Sequence, residues 1–192
     1  LGNLPGFNAV NSRVSVEVMP DGKMIWADTH NGRVQMLRPA LIDLNTKAII
    51  VAGGGPYPGN SLWSATLQHA NGAYRALINQ GIPKENIYYL ADAQHDLDGN
   101  GELDDIAGIA SNANLEYALT DWAQDASNIV FYMIDHGGVN TFRMKKDEIL
   151  PASLVNDWLS QYSGNVTLVY DACKSGSFID ALAGGGRTII TS

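Results

Sequence analysis

The rhythm of apolar and polar positions changes once along the chain, near Lys47. From about Asn11 to Arg38 the two kinds alternate: Val14, Val16 and Val18 share one face, Ser15 and Glu17 the other. This is the period of two expected of a strand with one covered face. Pro20-Asp21-Gly22 is a turn signal within the stretch. Residues 1–45 therefore read as a β-rich segment, either a hairpin that closes a small β module or an N-terminal extension of the sheet that follows.

Beyond Lys47, short apolar runs alternate with longer stretches of helical spacing. Ala48–Ala52 is the first run, and Ser61–Gln80 carries Leu67, Ala70, Tyr74 and Leu77 at helical intervals until Gly81-Ile82-Pro83 ends it. A strand is predicted over Asn86–Ala91, a helix over Asn112–Ala123 and a wholly apolar strand over Asn128–Ile134. A helix then follows over Pro151–Tyr162, with Pro151 in its first turn and Leu154, Val155, Trp158 and Leu159 as its stripe. Val166–Tyr170 is a fourth strand, and Thr188–Thr191, after a short helix and Gly184-Gly185-Gly186, is a fifth. Strand–helix alternation of this kind predicts an α/β three-layer sandwich with a mostly parallel sheet over residues 46–192.

Two chemically capable side chains stand just past apolar strands: His136 in Asp135-His136-Gly137-Gly138, and Cys173 in Asp171-Ala172-Cys173-Lys174-Ser175-Gly176-Ser177. Parallel sheets build their sites at the carboxyl ends of the strands. If the two strands are neighbours, their ends lie roughly 5 Å apart, which brings a thiol and an imidazole to one carbonyl carbon. Singly, a strand-end His or Cys is more often structural; the pairing gives them a joint use as general base and nucleophile. Gly137 and Gly138 leave room for a substrate carbonyl, and their N–H groups, with that of Cys173, are candidate oxyanion donors. Asp135 points away by strand alternation and is left out of the catalytic group.

The pieces Phe131-Tyr132-Met133-Ile134-Asp135-His136-Gly137 and Tyr170-Asp171-Ala172-Cys173-Lys174-Ser175-Gly176-Ser177-Phe178 resemble the legumain family of cysteine peptidases, which shares its fold with the caspases. The resemblance runs from about Lys47 to Ser192. It implies a caspase-like sheet, endopeptidase activity through a thioester acyl-enzyme, His136 as acid/base, Cys173 as nucleophile, Gly137 as an oxyanion donor and Asp171 in the specificity pocket. Legumains also use an arginine early in the first helix region, where this chain reads Leu62-Trp63-Ser64-Ala65. With that arginine absent and Asp171 retained, a basic residue before the scissile bond is as good an expectation as asparagine. The same dyad would serve a ligase or transamidase, and a catalytically silent binding module on this fold is the rival from another class. Legumain-like sheets continue past a fifth strand, so the expected partners are a peptide or protein substrate and the remainder of a cleaved or longer chain.

Composition narrows these readings without changing them. Of 192 residues, 45% are hydrophobic and 17% charged, and the formal net charge is −8. An acidic chain lacks the clustered Lys and Arg that phosphate backbones require, which argues against nucleic acid. No apolar run approaches the ~20 residues of a membrane span. One cysteine excludes an internal disulfide and leaves the compartment open.

No cofactor is expected for catalysis, but Asp96-Leu97-Asp98-Gly99-Asn100-Gly101-Glu102-Leu103-Asp104 has the spacing of a calcium loop. Asp96, Asp98, Asn100 and Asp104 would give side-chain oxygens and Glu102 its carbonyl. The twelfth position, which should carry a bidentate carboxylate, is Ala107; Asp105 substitutes only if the backbone differs. A solvated acidic turn is the plainer alternative. Gly53-Gly54-Gly55 lacks the Lys-Ser/Thr of a phosphate-binding loop.

Overall fold

A computed structural model describes residues 45–192 in full and, before them, the backbone of three strands only. The chain divides into two units, residues 1–41 and 42–192. In the first, β1 (Val14–Val18), β2 (Met24–Asp28) and β3 (Arg33–Leu37) form an antiparallel sheet in the order β1-β2-β3. Val16 is opposite Trp26, and Trp26 is opposite Gln35.

The second unit is built on a parallel sheet of five strands, β4 (Thr46–Ala52), β5 (Ile87–Leu90), β6 (Asn128–Ile134), β10 (Asn165–Asp171) and β11 (Arg187–Thr191), in the order β11-β10-β6-β4-β5. Helix α1 (Trp63–Asn79) packs Ala70 and Tyr74 onto Ala48, Ile50 and Ala52 on one face. The other face carries α2 (Asn112–Tyr117), which runs on as a π-helical turn over Ala118–Trp122, then α3 (Ala152–Leu159) and α4 (Ser177–Leu182). Their Leu115, Leu119, Val155, Trp158 and Phe178 meet Ile49, Val51, Phe131, Leu168 and Tyr170. The result is the expected three-layer α/β architecture with a mostly parallel sheet. β4 is covered on both sides and buried almost throughout, which is why its sequence is a continuous apolar run.

The strand and helix cores fall where periodicity puts them, with two departures. Pro151 closes a strand and precedes α3 with an extended ψ of 143°, so it lies outside the helix's first turn; the preceding segment needs an extended backbone to pair. That segment belongs to an antiparallel sheet absent from the sequence reading, formed by β7 (Gly137–Gly138), β8 (Thr141–Lys145) and β9 (Glu148–Pro151). Phe142, Met144 and Leu150 are buried there at alternating positions, but the charged tip Lys145-Lys146-Asp147-Glu148 hides the pattern.

On β10 only Val166, Leu168 and Tyr170, which face the α3 and α4 side, are buried. Helix α1 packs over β4 and β6. This leaves space beside α1, above the end of β10, for a cavity.

Candidate active site

Strands β6 and β10 are hydrogen-bonded neighbours in parallel register, with Ile134 beside Asp171 at their carboxyl ends. The chain leaves β6 into Asp135-His136-Gly137 and leaves β10 into Ala172-Cys173-Lys174, so the two loops start side by side. Gly137 joins them: a Cβ there would stand far inside contact distance of the Cys173 carbonyl, and 2.9 Å from the Ala172 methyl. Only a glycine allows that approach. Cys173 is exposed and His136 partly so. Lys174, directly after the thiol, is held at φ +61°, a left-handed turn that L residues avoid, and Ser175 Oγ anchors the loop by donating to the Ser192 carbonyl at 2.8 Å. Burial, with Cys173 close by, pushes the Tyr170 phenol above its ordinary range.

His136 is positioned by a residue absent from the sequence reading. Asn60, in the loop between β4 and α1, has its Oδ1 3.2 Å from His136 Nε2. Its Nδ2 donates to the Gly55 carbonyl at 3.0 Å, and its Oδ1 also accepts from the Leu62 N–H at 3.1 Å. Those two bonds fix which end of the amide faces the imidazole. The end is an acceptor, so Nε2 carries the proton and the Nδ1 lone pair is free to take one. The signal for Asn60 was the strand-end rule, because its loop leaves the carboxyl end of β4, the other neighbour of β6.

Asp135 turns away from the imidazole. It is 4% exposed; its Oδ2 accepts from Thr66 Oγ1 of α1 at 2.8 Å, and its Oδ1, which lies against Gly54, has no hydrogen-bond partner among the described residues. Asp171 lies on the α1 side of the sheet, where it adds to burial in pushing Tyr132 up to about 12. Both aspartates line a cavity of about 410 Å³ with Leu62, Ala65, Thr66, His69, Ala172 and Cys173, and among the described residues no Lys or Arg lines it. Leu62 and Ala65, the ends of the stretch Leu62-Trp63-Ser64-Ala65, form part of that wall.

The acidic loop lies apart from this site. Side-chain oxygens of Asp96, Asp98 and Asp105 come within 4.8 Å of one another, so Asp105 joins this carboxylate group and Asp104 is not part of it. Asp96 spends its oxygens on the N–H groups of Gly99, Asn100 and Gly101, and Asn100 Oδ1 accepts from the Glu102 N–H. The Lys84 ammonium sits among the carboxylates, 2.9 Å from Asp98, 2.5 Å from Asp104 and 3.0 Å from Asp105. Hydrogen bonds to Asp104 and Asp98, with help from Asp105, hold Lys84 protonated well above its ordinary range.

A parallel sheet sandwiched by helices, with a thiol loop and an imidazole loop at adjacent strand ends, is a caspase-like α/β architecture. Residues 106–192, a little under half of the chain, match the model of the Peptidase C13 family. That is the legumain family, and over those residues the chain is similar to its cysteine peptidases. No curated protein matches the chain.

Proposed function

We propose that the chain is a thiol-dependent endopeptidase in which Cys173 is the nucleophile and His136 the general acid and base. The observation that carries this is the approach of Gly137 to the Cys173 carbonyl, which brings the two loops together on neighbouring strands. His136 Nδ1 takes the thiol proton, and the thiolate attacks the scissile carbonyl, whose oxyanion is received by the N–H groups of Gly137 and Cys173. The imidazolium returns its proton to the leaving amine as the C–N bond breaks. Water deprotonated by the same imidazole then hydrolyses the thioester, whereas an amine in its place makes the step a ligation. Asn60 keeps the ring in the required tautomer.

Asp171, with no Lys or Arg among the described residues of the cavity wall, favours Lys or Arg before the scissile bond. Protein or peptide substrates follow from the family. Among the described residues no helix is long and apolar enough to cross a membrane. Calcium is a separate proposal and takes no part in these steps: Asp96, Asp98 and Asp105 supply suitable oxygens, but an ion there has to displace Lys84.

Intact-mass labelling with a peptidyl electrophile tests the dyad. Labelling should vanish in Cys173→Ala and slow by about 10²-fold or more in His136→Ala, the scale of general acid–base catalysis. A folded wild-type protein that takes no label would favour the silent binding module.

A further inference from the structure

We infer that Asp135 is a positioning residue for the dyad: its buried carboxylate stands behind the Asn60 amide and acts through it on the His136 imidazole. The inference rests on reading His136 as the acid/base and Cys173 as the nucleophile.

Asp135 is 4% exposed, and the fold accounts for only one of its carboxylate oxygens. Oδ2 accepts from Thr66 Oγ1 at 2.8 Å and so ties the end of β6 to α1. Oδ1 is buried with no hydrogen-bond partner among the described residues. A buried acceptor without a donor is destabilising, and an asparagine would hold Thr66 with no charge in the interior, so the second oxygen calls for a use of its own. Its surroundings supply one. A Cβ on Gly54, which is held at φ +74°, would overlap Asp135 Oδ1 and stand 2.6 Å from Asn60 Nδ2. The missing side chain thus leaves one small space with the carboxylate on one side and the amide nitrogen on the other. That nitrogen has two hydrogens. One is donated to the Gly55 carbonyl at 3.0 Å, and the other is left for the orphaned oxygen across the space.

The far end of the same amide is Oδ1, 3.2 Å from His136 Nε2. An anion at the nitrogen end pushes electron density towards the amide oxygen, so Asn60 accepts from Nε2–H more strongly. The effect is greatest when the ring is an imidazolium, the form that has taken the Cys173 proton. Away from water the charge also acts with little screening. Thr66, Asp135, Asn60 and His136 in this way form one chain of polar groups from helix α1 to the dyad. Asp171 and His69, the other titratable side chains that line the cavity with Asp135 and Cys173, stay unchanged in every variant below.

Iodoacetamide, small enough not to depend on substrate recognition, is the probe. Its rate of reaction with Cys173 is followed against pH in the wild type, Asp135→Asn, Asn60→Ala and the double variant. Asparagine at position 135 keeps a polar group for Thr66 and removes the charge. Loss of the anion disfavours the imidazolium, so the thiol gives up its proton less readily. The rising limb of the profile should therefore move to higher pH by about one unit in Asp135→Asn, about tenfold in rate below the limb. In the Asn60→Ala background the same substitution should add little, as for two residues that act in series. An unmoved limb in Asp135→Asn overturns the inference, and so does an equal move in both backgrounds. Should Asp135→Asn not fold, nitrogen-15 labelling of asparagine reads the wild type: the Asn60 Nδ2 proton that faces Asp135 should resonate downfield of exposed asparagine amides, and an ordinary position overturns the inference. His136→Ala separates the two readings. A limb that His136→Ala moves and Asp135→Asn does not sinks the inference alone, whereas a limb that His136→Ala leaves in place sinks the dyad and the inference with it.

Discussion

At the scale of single residues the site depends on one committed amide and one missing side chain. Asn60 has one amide end committed to the Gly55 carbonyl, so the imidazole it faces has only one nitrogen left for proton transfer. Gly137 has no side chain, and the Cys173 carbonyl occupies the space one would fill. Gly137→Ala should therefore push the thiol loop outward while leaving the sheet intact. A shift of about 1 Å is expected to slow electrophile labelling and peptide cleavage about 10²-fold, with the circular dichroism spectrum and Cys173 alkylation by iodoacetamide retained; near-normal cleavage would show that the two loops are not coupled. His136, Cys173 and Asp171 were legible in the sequence because each directly ends or follows an apolar strand. Asn60 was not, since it lies eight positions past Ala52 in a loop without periodicity. Nor was the burial of Asp135, which depends on Thr66 of a helix far away in sequence.

At the scale of elements, the loop from Asp96 to Asp105 shows how far a spacing rule reaches. Asp96, Asp98 and Asn100 bind backbone N–H groups of their own loop, as their short side chains favour. The position that closes the loop is Asp105, fully buried at its side chain, and the cation beside it is Lys84 from the 3₁₀ turn Lys84–Asn86. Burial alone would raise the Asp105 pKa. Hydrogen bonds from Tyr74, the Leu97 N–H, Lys84 and the Asp98 N–H outweigh it and hold the carboxyl at about 2. A folded pKa below the unfolded 3.8 means that its stabilisation is present in full above about pH 4 and is lost as pH falls towards about 2. Asp105→Asn should destabilise by about 2 kcal/mol at neutral pH, with the gap from wild type narrowing across that window in denaturant titrations. A gap that is constant with pH would mean that the carboxylate charge is not what matters. Heat on titration with millimolar calcium, together with a raised thermal midpoint, would support an ion in place of Lys84; absence of heat would remove the calcium proposal.

At the scale of the whole molecule, the net charge of −8 makes the chain attractive at long range to basic peptides. Cleavage of substrates with Lys or Arg before the scissile bond should weaken several-fold between about 0.1 M and about 1 M salt, as the Debye length falls from about 10 Å to about 3 Å. Matched asparagine substrates should respond much less. A panel in which Lys and Arg are the poorest substrates, or in which salt acts equally on all, would reject the acidic pocket as the selector.

The sequence by itself determined the strand–helix alternation, and with it a parallel sheet whose carboxyl edge carries His136 and Cys173, because hydrophobic period and strand-end position are local properties. Its β7–β9 sheet was hidden, because the pairing of Gly137–Gly138 with Thr141–Phe142 and of Phe142 with Leu150 is a matter of folding back, masked by charges at the tip. Only the tertiary structure decided the strand order that makes β6 and β10 neighbours, the meeting of Asn60 with His136, and the enclosure of Asp135 and Asp171 in one cavity. Each of these joins residues distant in sequence, and such contacts exist only once the core has fixed which elements lie side by side.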